Sequence, residues 1–265
     1  METTKDPRVL VVGAGNIGGA MARGIAAGGT RVILFNRSAG RLEAFRDLDN
    51  IAVTTDLTAA LDANPVLVLL CVETDAVAPL LGRMAPALAR VNPIIGSCAA
   101  VPTLADLEAD LHRAVDAPRI VRILPNIAAT VGESVNLLAS RNMTEEDMDL
   151  VRRLISNTGS CFEVPENLFG AAMAVSSCGI AFALRYVRAS VEGAVQLGLA
   201  PGLATDICAA MLRGTAAMLA DGAHPETLVD RVTTPGGLTI RGLNTMEGRG
   251  FSAAVIAGIL AAVKK

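Results

Sequence analysis

Lysine is almost missing from this sequence. Among its 265 residues only Lys5, Lys264 and Lys265 are lysine, all at the ends. No ammonium group can then sit at the heart of the fold as a catalytic acid or Schiff-base nucleophile, which excludes lysine-dependent hydroxyacid dehydrogenase chemistry. Histidine is as scarce. His112 falls at a charged helix end and His224 in a turn, so a histidine-based alcohol dehydrogenase is disfavoured as well. Five scattered cysteines form no C-x-x-C pair, and two histidines add too little for a zinc site. With no tryptophan, one tyrosine and a net charge of −3, the chain has neither stacking platform nor basic footprint, so nucleic acid is set aside as a partner.

Uninterrupted apolar runs are also short. A membrane helix needs about 18 consecutive apolar residues, and the best stretch, Ala171 to Leu184, is shorter, contains Ser176, Ser177 and Gly179, and runs into Arg185. No membrane partner is expected. The charged start, Met1 to Asp6, lacks a signal-peptide core, and a cytoplasmic location is expected. Yet hydrophobic residues make up 52% of the chain. Parallel strands covered on both faces, and helices buried in an oligomer, account for such apolarity in a soluble protein.

What is present begins with alternation. Arg8–Val12, Arg31–Phe35, Val66–Cys71, Pro93–Gly96 and Ile120–Leu124 read as strands, and Ile17–Ala27, Ser38–Arg46 and Asp75–Ala89 as helices. Strands alternating with helices predict a doubly wound parallel sheet. Ser134–Ala139 and Ser160–Val164 read as its last strands, separated by a helix that Thr144-x-x-Asp147 can cap. From Pro165 the chain turns Ala-, Leu- and Met-rich with helical periodicity, broken at Gly198–Pro201, Gly222–Pro225 and Thr233–Gly237. The expected architecture is α/β: a Rossmann-type domain over residues 1–164, then an all-α domain over 165–265.

The first strand leads into Gly13-Ala14-Gly15-Asn16-Ile17-Gly18, a G-x-G-x-x-G that opens a helix. In that setting the first glycine permits a tight turn, the second lets the backbone approach a pyrophosphate, and the third lets helix and strand pack closely. After the second strand stand Phe35-Asn36-Arg37-Ser38, where an NAD site would carry an Asp or Glu for the ribose 2′-hydroxyl. Arg37 can pair with a 2′-phosphate, and Asn36 and Ser38 can donate to it, so NADP(H) is favoured over NAD(H).

So little acid–base equipment suits a substrate that arrives already electrophilic, and a protonated imine accepts hydride without strong general-acid help. The second half offers one binding element, Val232-Thr233-Thr234-Pro235-Gly236-Gly237-Leu238-Thr239, opening a helix. Its main-chain amides make an anion site for a carboxylate, and Thr239 adds a hydroxyl for a ring nitrogen.

These residues make the chain resemble the pyrroline-5-carboxylate reductases. The most specific likeness is Asp230-x-Val232-Thr233-Thr234-Pro235-Gly236-Gly237-x-Thr239-Ile240. Val121-Arg122-x-x-Pro125-Asn126, Cys98-Ala99-Ala100 and Ser176-x-x-Gly179-x-Ala181-Phe182 support it. The resemblance implies NADPH-dependent reduction of 1-pyrroline-5-carboxylate to L-proline, with a small cyclic imino acid as ligand and a homodimer, or a ring of dimers, as the assembly. It implies that Gly13, Gly15, Asn16, Ile17, Gly18, Asn36, Arg37 and Ser38 hold the cofactor's phosphates and ribose, and that Cys71, Val72, Cys98, Ala99 and Ala100 line its nicotinamide end. Gly236, Gly237 and Thr239 would hold the substrate, with Thr239 nearest the chemistry; Asn126 and Arg231, beside the junction and the late loop, are further candidate substrate contacts.

The chain departs from the family's pattern in places. Glu73-Thr74 stands where Lys-Pro is usual, Ile127-Ala128 where Thr-Pro follows the asparagine, and Ser177-Cys178-Gly179-Ile180 where the family has glycine–serine–glycine–proline. Arg231 sits beside the late loop. Cys178 reads as a small buried hydrophobe rather than a reactive thiol. These changes keep two alternatives in view: a reductase of a related or substituted cyclic imine, and an idle NADP-binding regulator.

Overall fold

The computed structural model describes residues 7–112 and 114–263; the three lysines and the charged first six residues lie outside them. Contacts divide the chain after Met173 into two compact units, one running to residue 173 and one from Ala174. The division falls later than the change of composition at 165, because Phe169 packs with Leu124 and Leu137 of the first unit.

The first unit is built on one eight-stranded sheet. Its strands are β1 (Arg8–Val12), β2 (Arg31–Phe35), β3 (Ile51–Thr54), β4 (Leu67–Leu70), β5 (Ile94–Ser97), β6 (Ile120–Leu124), β7 (Ser134–Arg141) and β8 (Gly159–Glu163), in the order β3-β2-β1-β4-β5-β6-β7-β8. All four residues of β4 are buried, as expected for a strand covered on both faces. Helices α1 (Asn16–Ala27), α2 (Leu57–Asp62), α3 (Thr74–Val91), α4 (Leu104–Leu111) and α5 (Glu145–Ile155) connect the strands, and the short α6 (Phe169–Met173) follows β8. Each side of the sheet has its own core, one around Met21, Ile25 and Leu69, the other around Leu70, Leu81 and Met84.

Three expectations need correction. The sheet is not wholly parallel: β7 pairs antiparallel with β6, and β8 lies parallel to β7. The short link from β6 to β7, residues 125–133, cannot make the long crossover that a parallel neighbour requires. The helix expected over Ser38–Arg46 is instead two 3-10 turns, Ala39–Arg41 and Glu43–Phe45. Gly40 weakens any helix there, and the Phe45 ring is drawn onto Gly19, where a Cβ would come within 2.8 Å of it. The short pair β3 and α2 was not foreseen. The Thr144–Asp147 capping box on α5 forms as its spacing predicts.

The second unit is helical throughout its described residues: a π-helical turn at Ala174–Cys178, then α7 (Gly179–Gln196), α8 (Pro201–Ala220), α9 (Pro225–Val232), α10 (Leu238–Gly248) and α11 (Phe251–Ala261). The breaks fall where Gly198–Pro201, Gly222–Pro225 and Thr233–Gly237 predict them. Only Ala174, Val191 and Ala204 are buried among its described apolar side chains. By length and composition, Glu166–Gln196 and Pro201–Ala220 could cross a membrane, with mean hydropathies of 1.6 and 1.3. No uninterrupted run of about 18 apolar residues lies in either, because Ser176, Ser177 and Arg185 break the first and Asp206 and Arg213 the second while the average stays high.

Candidate active site

The strand order reverses direction between β1 and β4, and in such sheets ligands sit in the crevice beyond the carboxyl ends of the strands at that point. The glycine turn is there. Gly13 has φ +108°, and a Cβ on it would stand 2.4 Å from the Cys71 carbonyl oxygen. A Cβ on Gly18 would meet the Gly13 carbonyl oxygen at 1.9 Å. Both positions therefore exclude any side chain. Gly15 differs: the one atom near its imagined Cβ is Arg41 Nη1, at 3.8 Å, which leaves an open crease at the start of α1. Asn16 is exposed and Ile17 half-buried at the rim. Backbone amides at a helix start beside an open crease fit a pyrophosphate.

Asn36 locks this turn to the end of β2. Its Oδ1 accepts the Ala14 N–H at 3.2 Å, its Nδ2 donates to the Ser38 carbonyl at 2.9 Å, and the Gly13 N–H reaches the Phe35 carbonyl at 2.8 Å. Asn36 thus shapes the turn rather than offering a free donor. Arg37 and Ser38 are exposed beside it. Sequence reasoning missed Arg41, whose guanidinium lies over the crease. Arg23 steadies the segment that carries it, donating to the Ala44 carbonyl at 3.0 Å and stacking 4.4 Å from the Phe45 ring centroid. The repeated arginine in Arg37-x-x-x-Arg41 was the available signal.

The residues expected on the nicotinamide side directly follow the next two strands. The Cys71 N–H donates to the Val12 carbonyl at 2.8 Å, and the Cys98 N–H to the Leu70 carbonyl at 2.9 Å, so both cysteines are fixed at the same edge as the glycine turn. Val72 packs against Gly13, and Ala99 is buried. The thiol contact with Cys98, together with burial, pushes the Cys71 thiol well above the usual range. Ala100 is held by Arg122, a 3% exposed arginine on β6. Its Nη2 donates to the Ala100 carbonyl at 2.6 Å, its Nη1 to Glu166 Oε1 at 2.8 Å, and its plane lies 4.9 Å from the Phe169 ring centroid. Glu166 Oε1 also accepts the Leu104 N–H that opens α4, at 2.7 Å.

Asn126 is buried after β6. Its N–H donates to Ser134 Oγ at 3.0 Å, and its Oδ1 accepts the Ala128 N–H at 3.0 Å. Glu73 precedes α3 at the N-cap position, exposed, and its side chain makes no capping hydrogen bond. In the second unit, Gly236 takes φ +70° and Gly237 caps α10. The Gly237 N–H donates to the Thr234 carbonyl at 2.9 Å. The amides with no intrahelical acceptor are those of the first helical residues, Leu238 and Thr239 among them. Arg231 lies exposed in the last turn of α9, and Cys178 half-buried in the π-helical turn.

Fold and crease together define a dinucleotide-binding Rossmann-type domain followed by a helical unit. Comparison with known proteins narrows this. Residues 166–265 match the family described as pyrroline-5-carboxylate reductase dimerisation, and residues 8–100 match NADP oxidoreductase, coenzyme F420-dependent. Pyrroline-5-carboxylate reductase 3 of Mus musculus is 33% identical over 267 residues, covering 98% of this chain and 95% of that one. Pyrroline-5-carboxylate reductase 2 of Dictyostelium discoideum is 30% identical over 275 residues, covering 97% and 91%. The solved pyrroline-5-carboxylate reductase of Coxiella burnetii has the same fold, with a TM-score of 0.87 at 24% identity over 98% of this chain and 97% of that one. The NADP-bound enzyme of Plasmodium falciparum gives 0.82 at 22% identity over 98% and 96%. The chain belongs to the pyrroline-5-carboxylate reductase family.

Proposed function

We propose that this protein reduces 1-pyrroline-5-carboxylate to L-proline with NADPH. The observation that carries the reading is one chain, without an interior lysine, that combines an open glycine crease under Arg41 with a Gly236–Gly237 turn opening α10. NADPH, when bound, supplies the hydride. The chain's own residues do the rest. Gly15 and the first amides of α1 take the pyrophosphate, and Arg37 and Arg41 meet the additional phosphate that distinguishes NADP from NAD. Ala99, and Ala100 held by Arg122, form the wall beside the ring. The amides of Leu238 and Thr239 orient the substrate carboxylate, and the Thr239 hydroxyl accepts a hydrogen bond from the protonated ring nitrogen. An iminium already carries the charge that makes its carbon electrophilic, so positioning and exclusion of water suffice.

The reading includes a homodimer in which a second copy covers the apolar faces of α7 and α8. Arg185, Arg188 and Glu192 on α7, and Asp206 and Arg213 on α8, weigh against these helices spanning a membrane, where each buried charge costs about 3 kcal/mol. To test the function, purified protein is mixed with NADPH and 1-pyrroline-5-carboxylate while the absorbance of the reduced cofactor is followed. Steady oxidation with proline as product is expected; no turnover of any five-membered imino acid removes the reading. The exposed Glu73, at the carboxyl edge of the sheet, favours a second reading, a related cyclic imine with a different substituent pattern. Faster turnover of a substituted or six-membered imine than of 1-pyrroline-5-carboxylate would establish it.

A further inference from the structure

Cys71 and Cys98 directly follow adjacent strands, and their sulfur atoms are 3.5 Å apart. The parallel register that pairs Leu70 with Ser97 places these two cysteines next in line. Neighbouring strands lie about 4.8 Å apart, within the roughly 4.4–6.8 Å between Cα atoms that a disulfide accepts. Closure to a bonded distance of about 2.0 Å therefore needs the sulfurs to turn toward each other and no rearrangement of the sheet. The pair is also coupled to the glycine turn. A Cβ on Gly13 would strike the Cys71 carbonyl, and one on Gly18 would come within 2.9 Å of the Cys71 Cβ. Neither thiol has a part in the hydride transfer described above.

We propose that Cys71 and Cys98 are an oxidation site, a dithiol that a hydroperoxide closes to a disulfide and whose closure obstructs the dinucleotide crevice. The obstruction rests on the proposed cofactor reading; the closure does not. The contact with Cys98 and burial hold the proton on Cys71, which leaves the first attack to Cys98. Its thiolate attacks one peroxide oxygen, an S–O bond forms, the O–O bond breaks, and the departing oxygen takes a proton and leaves as water (from hydrogen peroxide) or as the alcohol (from an organic hydroperoxide). The Cys71 thiolate, having released its proton, then attacks the Cys98 sulfur. An S–S bond forms, the S–O bond breaks, and the second oxygen leaves as water. Two thiols lose two electrons and the hydroperoxide gains them. A dithiol reductant reverses the step.

The test uses the full chain carrying Cys161→Ser, Cys178→Ser and Cys208→Ser, so that only this pair remains. It is treated with hydrogen peroxide, with and without NADPH. Both free thiols should disappear with a mass loss of two hydrogens and return with dithiothreitol. NADPH binding, followed by cofactor fluorescence, should weaken about tenfold or more in the closed form. NADPH added first should slow the closure. If the triple variant fails to fold, the unmodified chain is oxidised, its remaining thiols are alkylated, and the cross-linked peptides are mapped by mass. Thiols that stay free, or that gain oxygen atoms separately, overturn the proposal. So does a closed disulfide that binds NADPH as tightly as the open dithiol. A reduced protein that turns over no imine sinks the functional reading alone, since mass and thiol count report the closure independently.

Discussion

The two units of this chain solve burial in opposite ways. The first closes two cores of its own, one on each side of the sheet, and leaves few large apolar side chains in water. The second folds into regular helices yet buries only three described apolar residues, while Leu184, Leu203, Ile256 and Leu260 stand half or more exposed. A soluble monomer rarely exposes so much contiguous apolar surface. The difference teaches that regular secondary structure and a finished core are separate achievements, and that the helical unit is written for an environment the isolated chain does not supply.

That contrast can be broken experimentally. The largest effect belongs to Gly18→Val, where the nearest obstacle to a side chain is backbone. A loss of about 4 kcal/mol or outright misfolding is expected in thermal unfolding, with no NADPH binding in what folds; a stable, binding variant would show the turn to be soft. In the helical unit, Ile256→Glu with Leu260→Glu should leave unfolding of the first unit unchanged but weaken self-association roughly 100-fold, about 3 kcal/mol of lost apolar burial. Sedimentation would register a dimer turning to monomer, and an unaltered dimer would place the interface elsewhere.

Smaller effects sharpen the picture within the first unit. Arg122→Met removes both the Ala100 and Glu166 contacts. Because Glu166 keeps 28% of its side-chain surface, a loss of about 2 kcal/mol is expected, less than for a fully buried pair; calorimetry checks it. Arg41→Ala should raise the KM for NADPH about tenfold and that for NADH little, as loss of one charge-assisted contact would. Equal changes for both cofactors would assign Arg41 to the pyrophosphate alone.

The smallest effect is at α4. Thr103→Ala removes the cap of this helix and should cost about 1 kcal/mol at neutral pH. The Thr103 hydroxyl and N–H hold the Asp106 carboxyl below its ordinary range. Its folded pKa is lower than its unfolded one, so this stabilisation is present above the unfolded value and fades as pH falls through the folded one. The gap between variant and parent should therefore narrow in acid denaturation series.

Legibility followed pattern strength. β1, β4 and β6 could be read because their runs are apolar and near-continuous, and the glycine turn because three glycines at fixed spacing have one common physical cause. β3 escaped because Ile51–Thr54 is short and partly exposed, which leaves neither periodicity nor full burial to detect. The reversed direction of β7 is invisible along the chain, since pairing sense depends on the path of the connection. At the site, Arg37 could be read from its place after β2; the spacing to Arg41 hinted at a second arginine, but its position over Gly15 depends on the 3-10 turn that folds it back. The use of the Gly237 amide by Thr234 is a matter of three-dimensional closure, and no spacing announces it.

Arg122 has one further consequence, for anyone who would exchange parts between relatives. A single guanidinium fastens the loop at Ala100 to the carboxylate that opens α4 and to the aromatic ring at Phe169. Loop 98–103 is therefore not a portable module. A chimera that imports it without matching residues at 122, 166 and 169 would inherit a foreign wall on a native hinge-pin, and its specificity would drift for reasons remote from the substrate.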